Sequence, residues 1–229
     1  METKPNTLTG AIRDELLHSA GVTKLSPSRR FTTIFLDGQA ADALYLIESG
    51  LVKLFNRGDD SKEIIIEVLS TGQLFGEHAI QEGAVRNTSA EILQEGVIYT
   101  IPRDIFIRFC DARPQLWRLV TEMVLDRKSA LKKKIELLCL QDVEYRILYY
   151  LRELAATFGT KLSGREFAIP LSQGELASLI GATRETTSTT LNALARRGLI
   201  RLGRRQLVVL SQDDATQGIE SPSSHAAAQ

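Results

Sequence analysis

Two cysteines and three histidines are scattered along 229 residues, and none stands at ligand spacing to another. Cys110 and Cys139 lie far apart with no C-x-x-C partner, so one chain supplies neither the thiolates of an iron–sulfur cluster nor a tetrahedral zinc site. His18, His78 and His225 form no H-x-H or H-E-x-x-H pattern, which argues against a metallohydrolase or a metal-loaded cupin. No apolar run reaches the roughly 20 residues that a membrane-spanning helix needs, and the polar opening METKPNTLTG lacks the apolar core of an export signal. The expectation is a cytoplasmic protein with no membrane partner. No nucleophile–base pair is visible either, so an enzyme is not expected. Net charge is also missing, with 28 basic against 28 acidic residues, so any attraction for a polyanion must come from a local patch.

That patch lies near the C-terminus. From Arg184 to Arg205 there are six arginines (184, 196, 197, 201, 204 and 205) against the single acid Glu185, a balance that a phosphate backbone rewards. It adjoins the stretch QGELASLIGATRETTSTTLNAL, residues 173–194. Leu176, Leu179 and Ile180 recur there at helical spacing, and Ser172 with Glu175 makes an S-x-x-E capping pattern that fixes a helix start. Gly181 falls where a tight turn needs positive φ, Ala177 is small where a second helix must cross closely, and Thr183 can cap that second helix. Arg184, Glu185, Ser188 and Thr189 then lie on its exposed N-terminal face. This is a helix-turn-helix; the alternative is an ordinary helical hairpin with a solvated face. A hairpin follows, LIRLGRRQLVVL turning at Gly203, which makes the module a winged helix.

With 43% hydrophobic residues the chain can fill the cores of two ordinary domains. Residues 1–30 hold a short amphipathic helix with Ile12, Leu16 and Leu17 on one side, expected to act as a lid. From Phe31 to Ile101, runs rich in β-branched and aromatic residues (TTIFL, ALYLIES, LVKLFNR, KEIIIEVL, TSAEILQ, VIYTIP) are broken by glycines at turn-like intervals, a pattern of short strands in a β-roll or jelly roll. One glycine loop, FGEHAIQEGAVRNTSA, brings an acid, a short helical turn and an arginine together. Such a set can cradle a phosphate and hold a sugar hydroxyl, or can simply carry a Glu77–Arg86 ion pair. After Pro114, Trp117, Val124, Leu131 and Leu138 repeat every seven residues beside Leu116, Met123, Ala130 and Leu137. A helix with so wide an apolar face must bury it twice, against the β-domain and against a twin helix. Beyond a hinge at Leu140 to Asp142, Val143–Phe158 is a further amphipathic helix.

Four of these stretches together resemble the family of the cyclic-AMP receptor protein and the fumarate–nitrate reduction regulator, over about residues 10–210. DGQAADALYLIESGLVKLF is similar to the entry of a cyclic-nucleotide-binding domain, and GEHAIQEGAVRNTSA to its phosphate-binding cassette. The helix ending near Asp142 resembles the family's dimer helix, and TRETTSTTLNALARRGLI its recognition helix. The resemblance implies an α+β chain: an effector-sensing β-roll over 1–114, a dimerisation helix over 115–141 and a winged helix-turn-helix over 142–210; residues 211–229, rich in Ser, Gln, Asp, Ala and Pro without periodicity, read as a disordered tail. It implies a homodimer on double-stranded DNA, with RNA polymerase as a further partner. Thr183, Arg184, Glu185, Ser188, Thr189, Arg204 and Arg205 would meet DNA, and Gly76, Glu77, Arg86, Asn87, Thr88 and Arg127 would meet the effector.

Departures from the family pattern bear on that effector. Where cyclic-AMP receptors follow the cassette arginine with Ser or Thr, this chain has Asn87 and then Thr88; Asn still donates to a phosphate. Where they present a Thr–Ser pair to adenine, this chain has Leu131 and Lys132. A cyclic nucleotide is one reading of the effector. Haem is another, because the carbon-monoxide-sensing regulators carry a His close to the position of His78. A cluster-based oxygen sensor is excluded by an N-terminus without cysteine. A rival of another class is a nucleotide-binding module that governs an enzyme or partner protein.

Overall fold

The computed structural model of the chain describes residues 10–25, 29–58, 62–162, 166–203 and 206–210. The tail expected to be disordered lies outside the described residues, as do Arg204 and Arg205. The chain divides into two compact units, Met1–Ile135 and Glu136–Gln229. Among the described residues no helix is long and apolar enough to cross a membrane.

The first unit opens with helix α1 (Gly10–Leu17) and continues through β1 (Thr23–Lys24), β2 (Thr33–Phe35), β3 (Ala43–Arg57), β4 (Glu63–Leu69), β5 (Leu74–Phe75), a 3-10 turn (Glu77–Ile80) and β6 (Ser89–Pro102). The sheet runs β1-β6-β3-β4, with β2 added on β6 and β5 on β3, all antiparallel. ALYLIES and LVKLFNR, which read as separate strands, are one 15-residue strand, and TSAEILQ with VIYTIP make up nearly all of another of 14 residues. The reason is a glycine crossing. A Cβ on Gly96 would sit 2.0 Å from the Ser49 carbonyl oxygen and one on Gly50 would sit 3.0 Å from the Gly96 Cα. Only a glycine pair lets the backbones approach so closely, and the ladder shifts register there and bends instead of ending.

Strand β3 is buried on both faces because two cores flank it. Ala43, Tyr45 and Ile47 enter a core inside the roll with Phe35, Phe75, Ile92 and Ile98, while Leu44 and Leu46 enter a second with Leu16 of α1, Leu74, Phe106, Phe109, Leu116 and Met123. Successive side chains of a strand point to opposite faces, so one apolar run serves both. Each fully buried side chain of this kind contributes roughly 1.5–3 kcal/mol. The helices of the second core are α1, α2 (Arg103–Asp111) and the first turns of α3 (Gln115–Leu140). Ile12 and Leu17 pack against it beside Leu16, as the amphipathic pattern of the N-terminal helix requires.

The second unit contains α4 (Val143–Phe158), β7 (Thr160–Lys161), β8 (Glu166–Ile169), α5 (Gln173–Ile180), α6 (Arg184–Arg196), β9 (Ile200–Gly203) and β10 (Gln206–Leu210). Its antiparallel sheet has the order β7-β8-β10-β9. Local chemistry sets the helix boundaries. Asp142 caps α4 by accepting from the Tyr145 N–H at 2.8 Å. The Ser172 hydroxyl accepts from the Glu175 N–H at 3.2 Å while the Glu175 carboxylate accepts from the Ser172 N–H at 2.6 Å, a full capping box. Gly181 ends α5 at φ 65, and the Thr183 hydroxyl caps α6 by accepting from the Thr186 N–H at 3.1 Å. Leu148, Leu151, Leu176, Leu179, Leu191 and Leu194 are among the buried residues of this unit. Ala177, expected at a close helix crossing, is buried as well.

Candidate nucleic-acid interface and effector site

Helix α6 sorts its residues by helical periodicity. Thr187, Leu191 and Leu194 are buried, and the Thr187 hydroxyl donates to the Thr183 carbonyl at 2.8 Å, so it enters the core without an unmet polar group. Arg184, Glu185, Thr189, Asn192 and Arg196 are exposed, Ser188 is half-buried, and Thr183 lies exposed at the cap. Glu185, Thr189, Asn192 and Arg196 follow at alternating four- and three-residue steps and so form one stripe. Asn192 and Arg196, the latter one of the six clustered arginines, continue the spacing of Glu185 and Thr189. The Asn192 side chain donates to the Ser188 carbonyl at 2.9 Å. Arg184 lies over the start of α5, where a Cβ on Gly174 would come 3.3 Å from its Nε.

The arginine cluster is not uniform. Arg197 is paired with Glu144 at 2.5 Å and Arg201 with Glu166 at 2.7 Å, whereas Arg184 and Arg196 have no ion pair among the described residues. Two cations of the cluster therefore tie the unit together and two face solvent.

In the first unit the cassette does not form the Glu77–Arg86 ion pair that was one of the two readings of the loop. Gly76 takes φ 80 ahead of the 3-10 turn, and a Cβ there would meet Arg86 Nη1 at 2.9 Å. Arg86 makes no ion pair with Glu77. It is 3% exposed, donates from Nη1 to the Gly76 carbonyl at 3.0 Å and from Nη2 to the Ala43 carbonyl at 2.6 Å, and its Nε is buried without an acceptor. Its guanidinium carbon lies 4.3 Å from the Phe35 ring centre and 5.6 Å from that of Tyr45. Burial lowers its pKa, an effect opposed by Tyr45, Asp42 and Glu77; an arginine stays charged under such a shift.

Glu77 instead meets Arg127 of α3, whose Nη1 donates to it at 2.6 Å while Nη2 donates to the Leu74 carbonyl at 2.6 Å and Nε faces Glu67 at 3.3 Å. Burial raises the Glu67 carboxyl above its ordinary value, Arg127 pulls it back, and Glu77 adds to the rise. Two turns on, Lys134 is buried and donates to the carbonyls of Ile65 and Ile66, and burial brings its ammonium down to about 8. Glu67, Lys134 and the rings of Phe35, Tyr45 and Phe75 were missed in the sequence reading, because each acts through strands remote in the chain. Asn87 is exposed and its carbonyl accepts from Asn56 Nδ2 at 3.2 Å; Thr88 is half-buried. His78 sits half-buried on the 3-10 turn, and among the described residues no group of three His, Cys, Asp or Glu side chains gathers as a metal site.

A β-roll followed by a long helix and a winged helix-turn-helix is the architecture of a DNA-binding transcription regulator. The comparisons with known proteins agree. Residues 28–113 match the cyclic nucleotide-binding domain and residues 145–214 the Crp-like helix-turn-helix domain. The chain is 31% identical over 178 residues, 77% of its length and 80% of the relative's, to the CRP-like cAMP-activated global transcriptional regulator of Mycobacterium tuberculosis. It is 30% identical over 173 residues, 74% of its length and 76% of the relative's, to the cyclic AMP receptor protein of Thermus thermophilus. A solved CRP-family transcriptional regulator of Thermus thermophilus is similar with a TM-score of 0.73 and 25% identity, covering 85% of this chain and 95% of that one. The c-di-GMP responsive global regulator of Xanthomonas campestris shares the fold with a TM-score of 0.74 at 22% identity, covering 88% and 98%. The chain belongs to the CRP family of transcription regulators.

For the cyclic nucleotide that this family implies, the donor set fits a phosphoryl group: the buried Arg86 Nε is an unmet donor that an anionic oxygen would satisfy. Glu77, the group suited to sugar hydroxyls, is engaged by Arg127, and Leu131 and Lys132 of α3 are exposed.

Proposed function

We propose that the chain is a homodimeric, effector-gated regulator in the cytoplasm that reads a palindromic site in double-stranded DNA through α6 and acts on RNA polymerase. In this reading residues 1–114 sense the effector, 115–141 dimerise and 142–210 bind DNA. The observation that carries it is the exposed polar stripe of α6, with Arg184 at its N-terminal end making no ion pair among the described residues. Arg184 can donate to guanine O6 and N7, and Glu185 can accept from cytosine N4, so both favour G·C pairs. Thr189 is too short for a bidentate guanine contact and suits a thymine methyl or a phosphate. Thr183 and Ser188 flank these positions, and Arg204 and Arg205 would hold phosphates from the wing.

The effector in this reading is an anion carrying a phosphoryl group, with Arg86 as its principal contact and Gly76, Glu77, Asn87, Thr88 and Arg127 around it. The relative from Mycobacterium tuberculosis is described as cAMP-activated, which supports a nucleotide. An effector gates DNA binding only by preferring one conformation to the other. The test is selection of binding sites from random DNA with the wild type, Arg184→Ala and Thr189→Arg. Arg184→Ala should cost about 1–3 kcal/mol on the selected site and relax one G·C position, and Thr189→Arg should add a guanine preference. A selected motif unchanged by Arg184→Ala would overturn the assignment of α6 as the reading helix.

A further inference from the structure

We propose that Phe35 is a plug over the anion site: its ring closes the Arg86 guanidinium in the resting chain, and a phosphoryl-bearing effector reaches that group only by displacing the ring. This rests on the reading of Arg86 as the anion contact. Phe35 is 5% exposed and its ring centre lies 4.3 Å from the guanidinium carbon, so on that side the cation meets a hydrocarbon ring and not solvent. Each η nitrogen donates to a main-chain carbonyl, and the buried Nε has no acceptor among the described residues. An anion that approaches the guanidinium from that side must displace Phe35.

The three rings around the site are not equally free to move. Tyr45 lies within β3, opposite Phe75 of β5 on one side and Thr100 of β6 on the other, and the Tyr45 and Phe75 rings stack at 5.2 Å. Phe35 ends the three-residue strand β2, whose partner is β6 and whose register shifts between Thr33 and Phe35. Its ring is tilted against both others, at 5.5 Å from Tyr45 and 6.2 Å from Phe75. The segment that follows is fastened to the cassette itself, with the Gly38 N–H donating to the Arg86 carbonyl at 2.9 Å and the Arg86 N–H to the Gln39 carbonyl at 2.8 Å. A shift of the cassette thus pulls directly on the backbone next to the plug. The two neighbouring rings stay in place as the wall of the opened site.

A closed site lowers apparent affinity by the fraction of molecules that are open, so loosening the plug should tighten binding without any new contact. Calorimetric titration of the full chain with cyclic AMP, cyclic GMP, cyclic di-GMP and inorganic pyrophosphate tests this. Phe35→Leu and Phe35→Ala, checked for folding by circular dichroism, should bind at least one of these probes about tenfold more tightly than the wild type. Adding Arg86→Gln to Phe35→Leu should abolish the gain. If folded Phe35→Leu binds no tighter than a wild type whose binding depends on Arg86, the plug is wrong and the anion contact stands. If binding survives Arg86→Gln in every background, the anion contact is wrong and the plug falls with it. Absence of binding by every probe in every variant overturns both.

Discussion

Helix α6 buries Thr187, Leu191 and Leu194 and leaves Glu185, Thr189, Asn192 and Arg196 exposed, whereas α3 between Val124 and Ile135 turns Arg127 and Lys134 inward and keeps Val124, Leu125, Leu131 and Ile135 on the surface. Val124 is 43% exposed, Leu131 46% and Ile135 55%. One helix is satisfied by its own chain. In the other the inward cations find carbonyl and carboxylate acceptors, and the outward leucine, isoleucine and valine have no cover among the described residues. Apolar side chains at such spacing suit the seam of a paired helix. The contrast supports reading α3 as half of an interface and α6 as a finished surface that waits for a polyanion.

The largest effect that could break this contrast is on assembly. Val124→Glu with Leu131→Glu should place unpaired charge in the seam, cost several kcal/mol of association and give monomers in sedimentation velocity. Thr189→Glu with Asn192→Glu on α6 should leave the sedimentation unchanged. An unaltered dimer in the first case would remove α3 from the interface.

Next in size is a pH effect on the inward side of α3. The Lys134 ammonium has a folded value of about 8 against an ordinary 10.5, so between those limits the unfolded chain holds a proton that the folded chain has released. Stability of the wild type relative to Lys134→Met should therefore rise with pH through that window, by up to roughly 3 kcal/mol, and be flat below it. Urea titrations of both proteins at pH 7 to 10.5 measure the difference. A difference independent of pH would mean that the lysine is solvated and not buried.

Arg127→Met sharpens the comparison between inward and outward arginines. It leaves Glu67 and Glu77 without their cation, and because all three side chains keep some solvent access the cost should be about 2 kcal/mol. Arg196→Met on α6 should stay within about 0.5 kcal/mol in the same urea assay. Equal losses would show that exposure does not separate the two. The smallest effect is at a cap: Ser172→Ala removes the acceptor for the Glu175 N–H and should lower stability by about 1 kcal/mol without changing assembly.

What could be read from the sequence follows from the range of each interaction. The ends of α4, the capping box at Ser172 and Glu175, the turn at Gly181 and the cap at Thr183 are all decided within about four residues, and each was legible. The strands were legible in type but not in extent, because Gly50 and Gly96 read singly as turns and act together as a crossing. The site was least legible where its geometry is made by distant strands. Gly76, Glu77, Arg86 and Arg127 could be named from the cassette pattern, yet nothing local to Arg86 says that its acceptors are the carbonyls of Gly76 and Ala43. Nothing near Phe35 distinguishes it from any other strand phenylalanine.

Strand β3 joins two cores through alternate residues, and this has a consequence for how related chains should vary. Tyr45 shares its core with Phe35 and Phe75, so a change of ring size at one of the three should be compensated within that trio. Leu44 and Leu46, although adjacent to Tyr45 in the chain, share theirs with Leu16, Leu116 and Met123, and should co-vary with the helices instead. Neighbours along β3 would then belong to separate covariation groups, one tied to what the roll can admit and the other to how α1 and α3 grip it.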